Sequence, residues 1–155
     1  MKTIRLSILL VAVAAALSLG FSPTIAGGAG ASKAKVVHVV ERATTDAVTN
    51  GDPNSDKLGN ILTFANKVYD KANKRKVGSD QGYCIRTVVG KTWECNWTTF
   101  LKPGSITVEG KFSDTGNTVL AITGGTGAYS TARGEMELNY HNKKGTAFDF
   151  VFHLE

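Results

Sequence analysis

Two cysteines, three histidines and one arginine on an apolar strand are the residues of this 155-residue chain whose types and spacing could do chemistry. Cys84 and Cys95 flank Val89-Gly90, and a hairpin turning there sets them directly opposite each other. Cross-strand neighbours lie about 4.5–5.5 Å apart, within reach of a disulfide. A bridge is therefore expected, contributing about 2–3 kcal/mol because the loop it closes is short. His38, His141 and His153 are scattered, and with only two cysteines they make no zinc set, so no metal is expected. Gly125-Thr126-Gly127 lacks the third glycine of a dinucleotide fingerprint and sits among strand-like runs, so no cofactor is expected either. Arg86 shares an alternating face with Cys84. Turned inward it could grip a ligand carboxylate bidentately, but buried alone it would be costly; a bulged strand would leave it in solvent.

The compartment in which this chemistry would run is set by the first 26 residues. Lys2 and Arg5 precede an apolar run from Ile8 to Leu19, and Thr24-Ile25-Ala26 offers small residues for cleavage, the pattern of a secretory signal peptide. The run is about twelve residues, against the roughly 20 of a membrane span, so no stable membrane anchor is expected. Cleavage after Ala26 leaves 129 residues, one domain of common size, secreted or periplasmic, where disulfides persist. Loss of Lys2 and Arg5 lowers the formal charge from +5 to +3. The basic cluster at 71–76 reads as a solvated hairpin tip, and no nucleic-acid partner is expected.

After a Gly-rich flexible tail over 27–34, the chain runs as short apolar or alternating stretches with no sustained helical period. Strands are predicted over 35–42, 60–69, 78–88, 92–101, 105–112, 118–123, 135–140 and 146–153, with reversal at 50–54, 90–91, 102–104, 114–117 and 141–145. Short connections make neighbours antiparallel. Eight such strands bury one face and remove their edges by closing into a barrel, with a sandwich as the competing architecture. Alternation turns Trp93, Cys95, Trp97 and Thr99 inward together with Ile106, Val108, Gly110 and Phe112. On the last two strands Met136, Leu138 and Tyr140 face Phe148, Phe150 and Phe152. An eight-stranded interior is either filled by such side chains or holds one small ligand.

The stretch Leu120-Ala121-Ile122-Thr123-Gly124-Gly125-Thr126-Gly127-Ala128-Tyr129, with Ala132-Arg133-Gly134 after it, resembles the signature of the allene oxide cyclase and dirigent barrel superfamily. Phe64-Ala65-Asn66-Lys67-Val68-Tyr69-Asp70 and Val77-Gly78-Ser79-Asp80-Gln81-Gly82 resemble two further strands of that family, and the likeness spans about 35–155. It implies an eight-stranded antiparallel barrel, often trimeric, around an apolar cavity. The cyclases control ring closure of a fatty-acid epoxide with a first-strand glutamate, a water held by asparagines and a Ser-Pro pair, a cysteine and a tyrosine. Matched residue by residue, the resemblance puts His38 in place of the glutamate and Val40 in place of an asparagine. It keeps Asn66 and Cys84, replaces the tyrosine by Phe112, and brings Asp52-Pro53 near the Ser-Pro pair.

These residues define a pocket of His38, Val40, Asn66, Arg86, Trp93, Trp97, Phe112 and Phe150. Loss of the glutamate and the tyrosine argues against authentic allene oxide cyclase activity, because a developing charge needs a carboxylate or aligned donors. One expectation is a secreted dirigent-like barrel that binds and orients an apolar or aromatic small molecule, with a separate oxidase as the source of reactive species. The other is a cyclase or isomerase of an unsaturated lipid-like or polyketide-like substrate, with His38 as general acid or base. His38 bonded to a neighbouring strand, and an interior filled by its aromatics, are the plain structural readings of the same residues.

Overall fold

The structure is a computed structural model that describes residues 35–48 and 55–155. The predicted leader, the Gly-rich tail and the turn with Asp52-Pro53 lie outside the described residues. Strand segments are β1 (Lys35–Arg42), β2 (Ala47–Val48), β3 (Ile61–Phe64), β4 (Lys67–Asp70), β5 (Lys76–Val88), β6 (Thr92–Leu101), β7 (Gly104–Ser113), β8 (Thr118–Gly125), β9 (Gly134–Tyr140) and β10 (Ala147–Leu154). The sheet order β2-β3-β5-β4-β1-β10-β9-β8-β7-β6 closes through β5 on β6.

The ten segments make eight staves. β3 and β4 pair with successive parts of β5, and β2 and β1 pair in turn with β3 and β4, so each of these couples is one stave with a break. The predicted strand over 60–69 is thus interrupted at Ala65-Asn66, opposite a second interruption between Arg42 and Ala47. Side chains take the backbone N–H groups that a ladder would otherwise pair: Asn66 accepts from Thr44 and Thr45 at one break, and Thr45 and Asp80 accept from Ala65 and Asn66 at the other. All pairings are antiparallel, and the barrel is the closed eight-stranded form expected from the turn spacing.

Long alternating segments set the register. Cys84 stands directly opposite Cys95 and is bridged to it. Phe148, Phe150 and Phe152 face Tyr140, Leu138 and Met136 across β10 and β9. Rings fill much of the interior: Trp97 lies 5.5 Å from Phe150 and 6.1 Å from Phe64, and Phe112 lies 5.8 Å from Phe148. Such contacts contribute about 0.5–1.5 kcal/mol each beyond area burial.

One end of the barrel is stoppered by the glycine-rich segment after β8. Its 3₁₀ turn, Gly127–Tyr129, carries the buried Tyr129 ring, and Lys35 at the start of β1 covers that ring at 5.0 Å. Two glycines make the turn fit. Gly127 has φ +58, and a Cβ on Gly125 would come within 2.4 Å of the Ser105 and Tyr129 carbonyl oxygens. The signature motif is therefore a plug, and it leaves the opposite end, at the C-terminus of β1, to hold a site.

Candidate functional site

At that open end, β1 contributes Glu41, turned inward on the face of Val37 and Val39. Asn66 at the break between β3 and β4 meets it, Asp46 enters from the loop before β2, and Asp80 comes from β5. Asn66 is the hub. Its Nδ2 donates to Glu41 Oε1 and Asp46 Oδ1 at 2.8 Å each, and its Oδ1 accepts from the Thr44 and Thr45 backbone N–H groups and the Thr45 hydroxyl. Its own N–H donates to Asp80 Oδ1 at 3.1 Å, and the Asp80 N–H returns a bond to the Asn66 carbonyl. Both ends of the amide are therefore fully used within the protein.

Two of the three carboxyl groups around it are out of water, with Glu41 6 % and Asp80 1 % exposed. Desolvation first, and then the Asp80 charge, pushes Glu41 well above the usual carboxylate range; desolvation raises Asp80 to about 7. The two are buried around one amide, and each disfavours the charge of the other, so the pair holds on to a proton. Glu41 is the member that stays protonated, since it is the more perturbed. A carboxylic acid of this kind, held neutral, can donate a proton near neutrality.

Stability should follow this pair with a definite sign. The unfolded chain gives up these protons near pH 4, whereas the folded pair holds them to about pH 7 or above. The pair's contribution is full below about pH 4, declines between about 4 and 7, and is lost once the pH exceeds the folded values. Asp70, held below its usual value by the Lys74 and Arg75 N–H groups, acts in the opposite direction from a partly exposed position at the surface. Denaturant midpoints at pH 5 and pH 8 should differ in favour of pH 5, by an amount on the order of a few kcal/mol. Asp80→Asn should narrow the difference, leaving the share that Glu41 owes to its own burial.

Next to Glu41 lies a cavity of about 50 Å³ walled by Phe64, Trp97, Phe112, Phe148 and Phe150, with the Cys84–Cys95 bridge in its side. Asp46 is exposed, and Leu62, Phe64 and Phe112 are half-buried, so the cavity meets solvent along these residues. An apolar cavity of about 150 Å³ holds a benzene; the space here takes a few waters, and a ring enters only if the mouth side chains swing aside. The interior is therefore mostly filled, with a small hollow at one end.

The residues singled out in the sequence separate into three groups. Asn66, Trp97, Phe112 and Phe150 meet at the site, with Cys84 and Cys95 as a disulfide in its wall rather than as thiols. Arg86 and Trp93 face inward but form the rim. Arg86 stacks on the Trp93 ring at 3.8 Å and is ion-paired to Asp56 at 2.7 Å and Asp114 at 2.6 Å, while Trp93 Nε1 donates to Asp114 at 3.0 Å. Two carboxylates already occupy this guanidinium, so it is not the receptor for a ligand carboxylate.

His38 and Val40 are corrections. Both lie on the outer face of β1, where His38 Nε2 is 2.8 Å from Asp149, a carboxylate shared with His141 at 2.9 Å. Val40 is fully buried there, in register between Tyr69 and Asp149, outside the core cluster. The inward frame of β1 is Val37, Val39 and Glu41, one residue away from the frame that seats His38 in the pocket, and a shift of one residue exchanges the faces. Valines occur on both faces of Lys35–Arg42, so alternation could not choose. Glu41, Asp46 and Asp80 went unrecognised for that reason and because their neighbours are distant in sequence; Glu41 alone had a signal, as a carboxylate inside an apolar run. Among the described residues, no group of His, Cys, Asp and Glu is arranged to hold a metal ion.

Comparison with known proteins agrees with this architecture. The allene oxide cyclase family model matches residues 33–151. Among solved structures, a pyocyanin demethylase is similar at 23 % identity and TM-score 0.63, covering 76 % of this chain and 100 % of its own. The pterocarpan synthase dirigent protein PsPTS1 is similar at 16 % identity and TM-score 0.64, covering 79 % and 97 %. AbnU, an exo-specific intermolecular Diels-Alderase, is similar at 16 % and 0.63, covering 79 % and 98 %. At these identities the likeness shows the fold.

Proposed function

Because the chain belongs to the allene oxide cyclase family, we propose that its barrel takes an apolar or aromatic small molecule into the open end and holds it against Glu41. The observation that carries this reading is a buried carboxyl, kept protonated by its surroundings, at the polar end of an aromatic hollow. Binding and orientation come first, since confinement between ring faces selects one conformer of a flexible molecule. The activity class is cyclisation or isomerisation: the Glu41 O–H gives its proton to a heteroatom where charge develops, and the carboxylate recovers a proton as the product forms. Atoms are neither gained nor lost, and Asn66 fixes the carboxyl through the step.

Glu41, three residues beyond the position that the resemblance matched to the family's glutamate, supplies a first-strand carboxyl of the same chemical kind. Phe112 still stands where the family has a tyrosine, and the cysteine is oxidised, so the substrate differs from the family's epoxide. Orientation without turnover, in the manner of a dirigent barrel serving a separate oxidase, is the second reading, favoured by the small number of polar groups in the wall. Either work is placed outside the cytoplasm by the leader-like first 26 residues. A trimer, built on the exposed Tyr83 and Ile85, belongs to the same proposal.

The test is a fluorescence titration of a Trp93→Phe variant, in which Trp97 is the remaining indole, with polyene fatty acids, phenolics and fused-ring aromatics. Saturable quenching by at least one class, with a rise in melting temperature, is expected. Unchanged emission and melting across the whole panel would mean a barrel that acts only through its outside.

A further inference from the structure

We infer that the hollow is selective for charge: it accepts cationic or neutral aromatic molecules that carry a hydrogen-bond acceptor, and rejects carboxylates. This inference rests on the proposed binding role and adds the substrate class. Its first basis is the sign of the groups at the cavity. Glu41 and Asp46 form the polar end, and no basic side chain lines the cavity among the described residues. Arg86, the one arginine on the inner face among the described residues, already serves Asp56 and Asp114 and is covered by Trp93. The rim group of Arg86, Asp56 and Asp114 is therefore net negative as well.

A ligand carboxylate in this place would face Asp46 with no cation to receive it, and like charges a few ångströms apart in a partly desolvated site repel strongly. An ammonium or a ring cation meets the opposite situation, with aromatic faces beside the acids; Trp97 and Phe64 offer the π-face that a cation prefers. The +5 formal charge of the whole chain would draw anions to its surface at long range, so the local sign runs against the global one.

The second basis is independent of the acids. Trp97, in the wall and only 3 % exposed, has an indole N–H with no hydrogen-bond partner. A buried donor left unpaired costs about 1–3 kcal/mol, and a hydroxyl or ring heteroatom on the occupant would satisfy it. The two features together describe an aromatic amine or N-cationic heteroaromatic with an oxygen or nitrogen acceptor. Such a molecule differs from the carboxylate-bearing lipid that an inward, unpaired Arg86 would have suited.

Three phenols of matched shape separate the possibilities: tyramine, a cation; tyrosol, neutral; and 4-hydroxyphenylacetate, an anion. Their dissociation constants are measured by ligand-observed NMR titration of the full chain after export, at pH 7.5 and low salt. Tyramine is expected to bind at least tenfold more tightly than 4-hydroxyphenylacetate, with tyrosol between them. The gap should narrow to about threefold in Asp46→Asn, which keeps the oxygen that accepts from Asn66, and should also narrow with added salt. Equal binding of all three, or tighter binding of the anion, overturns the charge inference and leaves the small-molecule role standing. An undiminished gap in Asp46→Asn overturns the assignment to these residues. Absence of binding by all three at millimolar concentration overturns the inference, and the panel of the preceding section then decides whether the binding role falls with it.

Discussion

Glu41→Gln should lower the turnover of any molecule that the barrel converts by about 10²- to 10⁴-fold, the usual contribution of a positioned proton donor, while changing its dissociation constant less than threefold. The contrast follows from what glutamine keeps. Its carbonyl still accepts from Asn66 Nδ2, so the hub and the fold survive. What disappears is a titratable proton beside the aromatic wall. Steady-state kinetics with a separate binding titration checks both halves, because a loss confined to kcat marks an interaction made at the transition state. Unchanged turnover with an altered ratio of products would assign the barrel to orientation alone. The same variant should narrow the preference for pH 5 over pH 8 in stability, leaving the share that Asp80 owes to its own burial, which reports on the carboxyl without any substrate.

Asn66→Ala should destabilise the barrel by about 3 kcal/mol or more, lowering the melting temperature by on the order of 10 °C. The amide it removes joins both broken staves. Without it Glu41 loses its donor while remaining buried, Asp46 loses one, and the backbone N–H groups of Thr44 and Thr45 lose their acceptor. Water reaches the exposed loop residues and offsets part of this, but not the share owed to Glu41. Asn66→Asp should be worse, since a further carboxylate would stand among Glu41, Asp46 and Asp80 with no amide N–H to separate them. Urea denaturation at pH 7 measures both, and a midpoint within about 0.3 kcal/mol of the native protein would remove Asn66 from the centre of this account.

The parts of the site that were legible in the sequence sit on strands whose alternation is one-sided. Trp97, Phe112 and Phe150 belong to β6, β7 and β10, where one face is mostly apolar and carries the large rings and the other is mostly polar, so inward direction follows from pattern alone. Cys84 opposite Cys95 is legible because the two lie close to a short turn; that turn is one residue longer than expected, pairing Val88 with Thr92, and a bulge between Arg86 and Val88 restores the expected pairing. β1 has neither support. Its faces are equally apolar, no short turn ties it to the strand it pairs with, and its frame is imposed from a distance by the three phenylalanines of β10.

Spacing and alternation alone determined antiparallel strands in an all-β chain, the disulfide and the aromatic lining, because each rests on local rules: alternation of period two, turn chemistry, and the short reach between hairpin neighbours; the resemblance favoured the barrel over a sandwich, and the structure closed it and turned the glycine-rich segment into a plug. Only tertiary structure decided that Glu41 rather than His38 looks inward, that Arg86 is already bound by Asp56 and Asp114, and that three acids gather on one amide. Those facts depend on residues brought together across the closed barrel, from Glu41 on the first stave to Asp80 on the third and from Arg86 to Asp114, and no periodicity along a single strand records which distant carboxylate a buried side chain will meet.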